Sequence, residues 1–262
     1  MNTEFKDKAM LVTGAASGIG RAVAEKFAEC GAITILADIN LEAAVSTARE
    51  IAEKFPGVQV VSMKVDVTDP KSCKALMDEI TSEFGSLYGM AHCAGVLANA
   101  PFVDIPKKDV DFVIDVNLKG TLYILQAAGS VMLKQGYGKI CVVASKAGKI
   151  GTPTLAHYAA SKFGVIGLVQ TAAMEWGEAG VYVNCVCPGE VDTPMLRKSY
   201  EKICEIEGIT MEEQVKIGSS MSLVKRLSPP ENIANCMLFL LGKQSDEIIG
   251  QAINVDGGII FH

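Results

Sequence analysis

Tyr158 and Lys162 stand four residues apart in a run over residues 156–176 that reads as one helix. Side chains at i and i+4 share a helical face, so the phenol and the ammonium ion lie one above the other. That pairing suits proton transfer. A cation beside a tyrosine stabilises the phenolate and is expected to bring the phenol pKa down from about 10 toward neutrality. Ser145 closes a separate apolar run thirteen positions earlier, where a strand would deliver its hydroxyl to the same place. A Tyr-x3-Lys pattern also arises without function, so the elements that position it decide its meaning.

Those elements alternate. Residues 9–12 form a short apolar strand, followed at once by Thr13-Gly14-Ala15-Ala16-Ser17-Gly18-Ile19-Gly20. Ile19, Val23 and Phe27 then repeat at i,i+4, the stripe of a helix packed on a sheet, and Gly31 ends it. A second buried strand over 32–37 stops at Asp38. Strand, glycine-rich turn, helix, strand and acid make a dinucleotide-binding βαβ unit, with the pyrophosphate resting on free N–H groups at the helix N-terminus. A carboxylate at Asp38 accepts hydrogen bonds from ribose hydroxyls and repels a 2′-phosphate. No Lys or Arg occurs at 15–17 or 39–40, so the expected cofactor is NAD(H) rather than NADP(H).

Further along, helices are predicted over 41–55 and from Thr68-Asp69-Pro70, and strands over 58–65, 87–93, 140–144, 181–187 and 252–255. Parallel strands joined by helical crossovers give an α/β fold: a single Rossmann-type, doubly wound parallel sheet of about seven strands. With no linker or repeat, residues 1–262 read as one domain. The stretch 193–228 breaks the rhythm, with helical stripes (Leu196, Tyr200, Ile203; Met211, Val215) among many charges. An insertion after a strand's carboxyl end is either a substrate-covering lid or a surface helical hairpin.

Composition narrows the class. The chain has 262 residues, 49% of them hydrophobic, enough for a sizeable core, and a net charge of −6 that argues against nucleic acid as a partner. No apolar run is long enough to span a membrane, and residues 1–8 lack a signal-peptide core. The eight cysteines are scattered without a C-x-x-C pair, and read as reduced core thiols of a cytoplasmic protein. Three histidines without ligand spacing give no expectation of a metal.

Together these motifs resemble the short-chain dehydrogenase/reductase family over nearly the whole chain. Thr13-Gly14-x3-Gly18-x-Gly20 is similar to the family's cofactor motif, Asp66 to its acid near the adenine, and Pro188-Gly189 with Thr193 to its nicotinamide-side loop. Asn117, Ser145, Tyr158 and Lys162 resemble its catalytic set. The resemblance implies a cofactor site made of Gly14, Ser17, Gly18, Ile19, Gly20, Asp38, Asp66, Val67, Cys93, Ala94, Gly95, Pro188, Gly189, Val191 and Thr193, with Tyr158 and Lys162. It also implies roles. Tyr158 would be the general acid/base, Lys162 would hold the nicotinamide ribose, Ser145 would bind the substrate oxygen, and Asn117 would anchor a relay water. Taken singly, Ser145 also reads as a strand-end hydroxyl and Asn117 as a helix kink. One departure stands out: His92-Cys93-Ala94-Gly95 replaces the usual Asn-Asn-Ala-Gly, so weaker hydrogen bonding between strands is expected behind the cofactor. The family further implies a homotetramer built partly on the helix of Tyr158, with the apolar tail 258–261 buried against a neighbour.

Three substrate classes stay open: polyols and sugar alcohols, 3-oxoacyl thioesters, and steroids or similar ring alcohols. The loop 186–195 and the segment 250–258 resemble those of NAD-linked polyol dehydrogenases. Carrier-protein reductases carry a basic residue where this chain has Glu178-Ala179. The expected partner is therefore a small alcohol or ketone. Glu190, His157 and Lys146 are candidates for polar contacts to it, although Glu190 reads equally as a solvated loop acid. A non-catalytic NAD(H)-binding sensor is the reading from a different class.

Overall fold

A computed structural model describes residues 4–262. Residues 1–3, part of the stretch read above as lacking a signal-peptide core, lie outside the described residues. Seven strands, β1 (Ala9–Thr13), β2 (Ile33–Asp38), β3 (Val60–Lys64), β4 (Gly89–His92), β5 (Gly138–Val143), β6 (Val181–Pro188) and β7 (Ala252–Val255), pair in the order β3-β2-β1-β4-β5-β6-β7. Every pairing is parallel. The sheet is the doubly wound Rossmann-type sheet read from the sequence.

A parallel sheet buried on both faces needs apolar side chains on both, and β1 supplies them by alternation. Leu11 joins one core layer, with α3 (Pro70–Phe84), α5 (Gly120–Gln135) and α6 (Ala156–Trp176) packed over it. Met10 and Val12 join the other, under α1 (Gly18–Glu29), α2 (Leu41–Lys54) and α9 (Pro230–Leu241). Because all strands run the same way, their carboxyl ends share one edge. Asp38, His92, Ser145 and Pro188 all stand at or just beyond that edge.

Two details depart from the sequence reading. The third strand begins at Val60, since the Val58 N–H turns back to the Phe55 carbonyl. The apolar tail divides. Ile260 is buried in its own chain, with its N–H donating to Asp256, whereas Phe261 is exposed.

Between α4 (Lys107–Val113) and α5 the helix widens into a π-turn over Ile114–Lys119, which carries Asn117. The predicted insertion folds as two helices, α7 (Pro194–Glu207) and α8 (Met211–Met221). The Thr193 hydroxyl accepts the Leu196 N–H to cap α7, and Thr210 with Glu213 forms a capping box on α8. Both ends of the insertion are tied together. Ser228 donates to the Glu190 carbonyl and accepts from the Asp192 N–H. No described helix is long and apolar enough to cross a membrane.

Candidate active site

At the carboxyl edge lies a cavity of about 910 Å³ that runs from Asp38 and Asp66 past Ser145, Tyr158 and Lys162 to α7 and α8. Every residue predicted to touch the cofactor lines it: Gly14, Ser17, Gly18, Ile19, Gly20, Asp38, Asp66, Val67, Cys93, Ala94, Gly95, Pro188, Gly189, Val191 and Thr193. Asn117 stands behind the wall, almost fully buried.

The glycine turn is a backbone cradle. A Cβ on Gly14, whose φ is +64°, would come within 2.7 Å of the Ala94 backbone, and one on Gly20 within 2.1 Å of the Gly14 carbonyl oxygen. Ser17 sits at the N-cap of α1 with its side chain uncommitted to the helix, so the first N–H groups face the cavity. The Asp38 carboxylate is fixed by two backbone donors, Ala16 N–H at 3.1 Å and Asn40 N–H at 3.0 Å. Asp66 accepts both the N–H and the hydroxyl of Thr68. No Lys or Arg lines this end of the cavity. A side-chain-free turn against a helix N-terminus, with a fixed acid one strand away, fits a nicotinamide dinucleotide.

At the other end the side chains are locked. Ser145 Oγ accepts the Ala147 N–H at 3.1 Å. Lys162 Nζ donates to the Val143 carbonyl at 2.8 Å and lies 5.7 Å from the centre of the Tyr158 ring. The Asn117 amide pairs with both backbone groups of Val96, at 2.8 and 2.9 Å, and donates to Ser161 Oγ at 3.1 Å. Ser161 Oγ in turn donates to the Tyr158 carbonyl. Asn117 therefore ties the segment after β4 to the helix that carries Tyr158.

The expected fall in the Tyr158 pKa does not occur here. Burial pushes the phenol up to about 12, a contact with Ser145 pulls the other way, and Glu190 adds to the rise. Lys162 gives its hydrogen bond to a carbonyl rather than to the phenol, and burial pushes it down to about 8. Desolvation outweighs the pairing that helical spacing suggested.

Nor is the sheet weakened at His92. Its Nδ1 lies 2.6 Å from the hydroxyl of Thr13, its cross-strand neighbour, and its Nε2 3.1 Å from Thr121 Oγ1. Thr121 donates its only hydroxyl proton to the Asn117 carbonyl at 2.6 Å, so it accepts from His92 Nε2–H. Nδ1 then accepts from Thr13. Burial, then the Lys162 charge, pushes the imidazole pKa down to about 3, which keeps the ring neutral. Cys93 beside it is pushed up to about 12, a thiol rather than a thiolate.

Of the three polar candidates for substrate contact, Lys146 and Glu190 line the cavity as a buried ion pair at 2.5 Å. Glu190 is thus no solvated loop acid. His157 does not line the cavity. It is buried, both ring nitrogens lack a hydrogen-bond partner, and burial lowers its pKa. Sequence reasoning missed Tyr200, whose hydroxyl donates to Glu190 Oε2 at 2.9 Å, and Ser199, which donates to Asn99 at 2.9 Å. Their i,i+1 placement on a charged helix gave no signal of a shared wall.

Comparison with known proteins agrees with this geometry. Residues 14–260 match the family model described as enoyl-(acyl carrier protein) reductase. The chain is 38% identical to the 3-oxoacyl-[acyl-carrier-protein] reductase of Thermotoga maritima, over 98% of this chain and 99% of that one. It is 36% identical to the diacetyl reductase [(S)-acetoin forming] of Staphylococcus epidermidis, over 97% and 99%. The crystal structure of levodione reductase superposes with a TM-score of 0.91 at 28% identity, covering 97% of each chain. A doubly wound sheet with this cradle and this Ser-Tyr-Lys edge defines a nicotinamide-dependent oxidoreductase fold. The chain belongs to the short-chain dehydrogenase/reductase family.

Proposed function

We propose that this protein is an NAD(H)-dependent dehydrogenase that interconverts a secondary alcohol, of the polyol or sugar-alcohol class, with its ketone. The observation that carries the reading is one cavity joining the Gly14–Asp38 cradle to Ser145, Tyr158 and Lys162. When bound, the nicotinamide supplies or accepts the hydride. The chain's own residues handle the proton. Tyr158 donates its phenolic proton to the carbonyl oxygen in reduction and takes the hydroxyl proton in oxidation. Ser145 holds that oxygen and steadies its developing charge. Lys162 keeps a cation beside the nicotinamide ribose. Asn117 holds Val96 with its amide and, by resemblance to the family, would anchor a relay water. The fixed Asp38 carboxylate favours ribose hydroxyls over a 2′-phosphate.

Residues 193–228 serve as the substrate cover of one catalytic domain spanning 1–262, supported by the pairing of its two ends through Ser228. Exposed apolar side chains on α6, Phe163 and Met174, support assembly into a homotetramer. The eight free cysteines support a cytoplasmic location.

Substitution of Tyr158 by Phe is the test. NADH affinity should survive while turnover falls by about a thousandfold or more, since the substitution removes the proton-transfer group and little else. If neither wild type nor variant turns over any carbonyl or secondary alcohol, the protein is a nicotinamide-binding sensor instead. A second reading, 3-oxoacyl-thioester reduction, is favoured by the 38% identity to the carrier-protein reductase and by the apolar side chains of Leu155, Leu196 and Ile203 along the cavity. Against it stand Asp38 and the absence of a basic residue at Glu178-Ala179.

A further inference from the structure

Lys146 directly follows Ser145, and Glu190 directly follows the Pro188-Gly189 turn, so strands β5 and β6 deliver the two charges side by side at the reacting end of the cavity. Their side chains retain only 7% and 13% exposure, and both face the cavity. An ammonium offers three donors. One goes to Glu190 Oε1 at 2.5 Å and a second meets only the Met221 thioether at 3.7 Å. A carboxylate offers about four acceptor positions, of which Lys146 and Tyr200 take one each. A strong donor and a strong acceptor thus remain within one hydrogen bond of each other, in a cavity wall that Leu155, Leu196 and Met221 share with the uncharged polar side chains of Ser199 and Gln214.

The pair sums to zero charge, which decides what it selects. A second carboxylate on the ligand would meet Glu190, and an ammonium would meet Lys146. A plain alkyl or acyl chain would leave the remaining ammonium donor and carboxylate lone pairs desolvated and unanswered, the situation in which discrimination is largest. A hydroxyl donates and accepts through one atom and answers both. The group has to sit close to the reacting carbon, because Lys146 is the neighbour of Ser145, and Glu190, paired with Lys146, lines the same cavity as Tyr158.

We propose that Lys146 and Glu190 form a subsite for a hydroxyl on the carbon next to the reacting one, so that the substrates are vicinal diols and α-hydroxyketones rather than isolated alcohols. The inference rests on the dehydrogenase reading above and narrows it.

The test compares matched pairs with the intact enzyme and NAD(H): butanediol with adjacent hydroxyls against sec-butanol, and acetoin against butanone. In the wild type, kcat/KM should favour the vicinal compound by about 100-fold. The paired substitution Lys146→Met with Glu190→Gln, which leaves no lone buried charge, should collapse that ratio to about one. NADH binding and the melting temperature report whether each variant is folded. Should the double variant not fold, Glu190→Gln alone is expected to lower the ratio about tenfold. A wild-type ratio near one, or a ratio unchanged in a folded variant, overturns the subsite and leaves the dehydrogenase reading intact. Failure to turn over any secondary alcohol or ketone overturns both.

Discussion

At the scale of the residue, the main lesson is that burial decides protonation. Helical spacing correctly put Tyr158 above Lys162, because i,i+4 geometry is local and survives any tertiary context. It could not foresee that both groups would be sealed from water, nor that Lys162 would spend a donor on Val143. The consequence for pH is directional. With the phenol pushed up to about 12, the acid form prevails at neutrality, ready for reduction, and the base form that oxidation needs grows as pH rises. We expect kcat/KM for alcohol oxidation to climb with near-unit logarithmic slope between about pH 5 and 7.5, below the point near 8 where Lys162 loses its charge, while ketone reduction does not rise. Steady-state rates in both directions over that range check it. A flat oxidation profile would remove Tyr158 from its role as base.

At the scale of the element, the βαβ unit was legible because its parts are consecutive. Strand, glycines, helix and Asp38 follow one another within residues 9–38, and each carries its own signal. The polar chain from Thr13 through His92 and Thr121 to the Asn117 carbonyl was not. It depends on the register that sets Thr13 opposite His92, and on the π-turn that brings Asn117 into reach of Val96. Where the amide of the usual motif was expected to be missed, an imidazole of fixed tautomer bridges the strands. His92→Leu leaves the buried Thr13 hydroxyl without a partner, at a cost of about 1–3 kcal/mol, while Thr121 keeps its bond to the Asn117 carbonyl. We expect it to lower kcat about tenfold or more through Asn117 with little effect on NADH affinity, and His92→Asn to restore most of the loss. Proton NMR of the His92 ring should show no titration between about pH 5 and 8, unlike an ordinary histidine. Titration there would mean the ring is not held neutral in this chain.

At the scale of the whole molecule, the cavity joins two specificities set far apart in the fold. On the reading proposed above, cofactor choice would rest at the β2 end, where Asp38 is held by Ala16 and Asn40, and substrate choice where β5 and β6 meet α7. Asp38→Ser removes the charge that faces a 2′-phosphate. It is expected to improve kcat/KM with NADP(H) relative to NAD(H) by about tenfold or more, worth about 1.4 kcal/mol per decade. Parallel titrations with the two cofactors read it, and an unchanged preference would show that Asp38 does not discriminate. Neither end was equally plain from sequence. Asp38 announced itself by position after a strand, whereas Lys146, Glu190 and Tyr200 converge from three places spread over more than fifty residues.

The ends of the 193–228 segment are bound to each other through Ser228, Glu190 and Asp192, so its two ends stay together whatever the length of chain between them. Such a segment behaves like an exchangeable cartridge. On the proposal that it covers the substrate, drift, lengthening or replacement within it would change what is admitted to the chamber while the strands stay in place. Relatives of similar sequence carry names as different as acyl-carrier-protein reductase and diacetyl reductase, and a base pinned in this way gives one physical route by which a single scaffold diversifies.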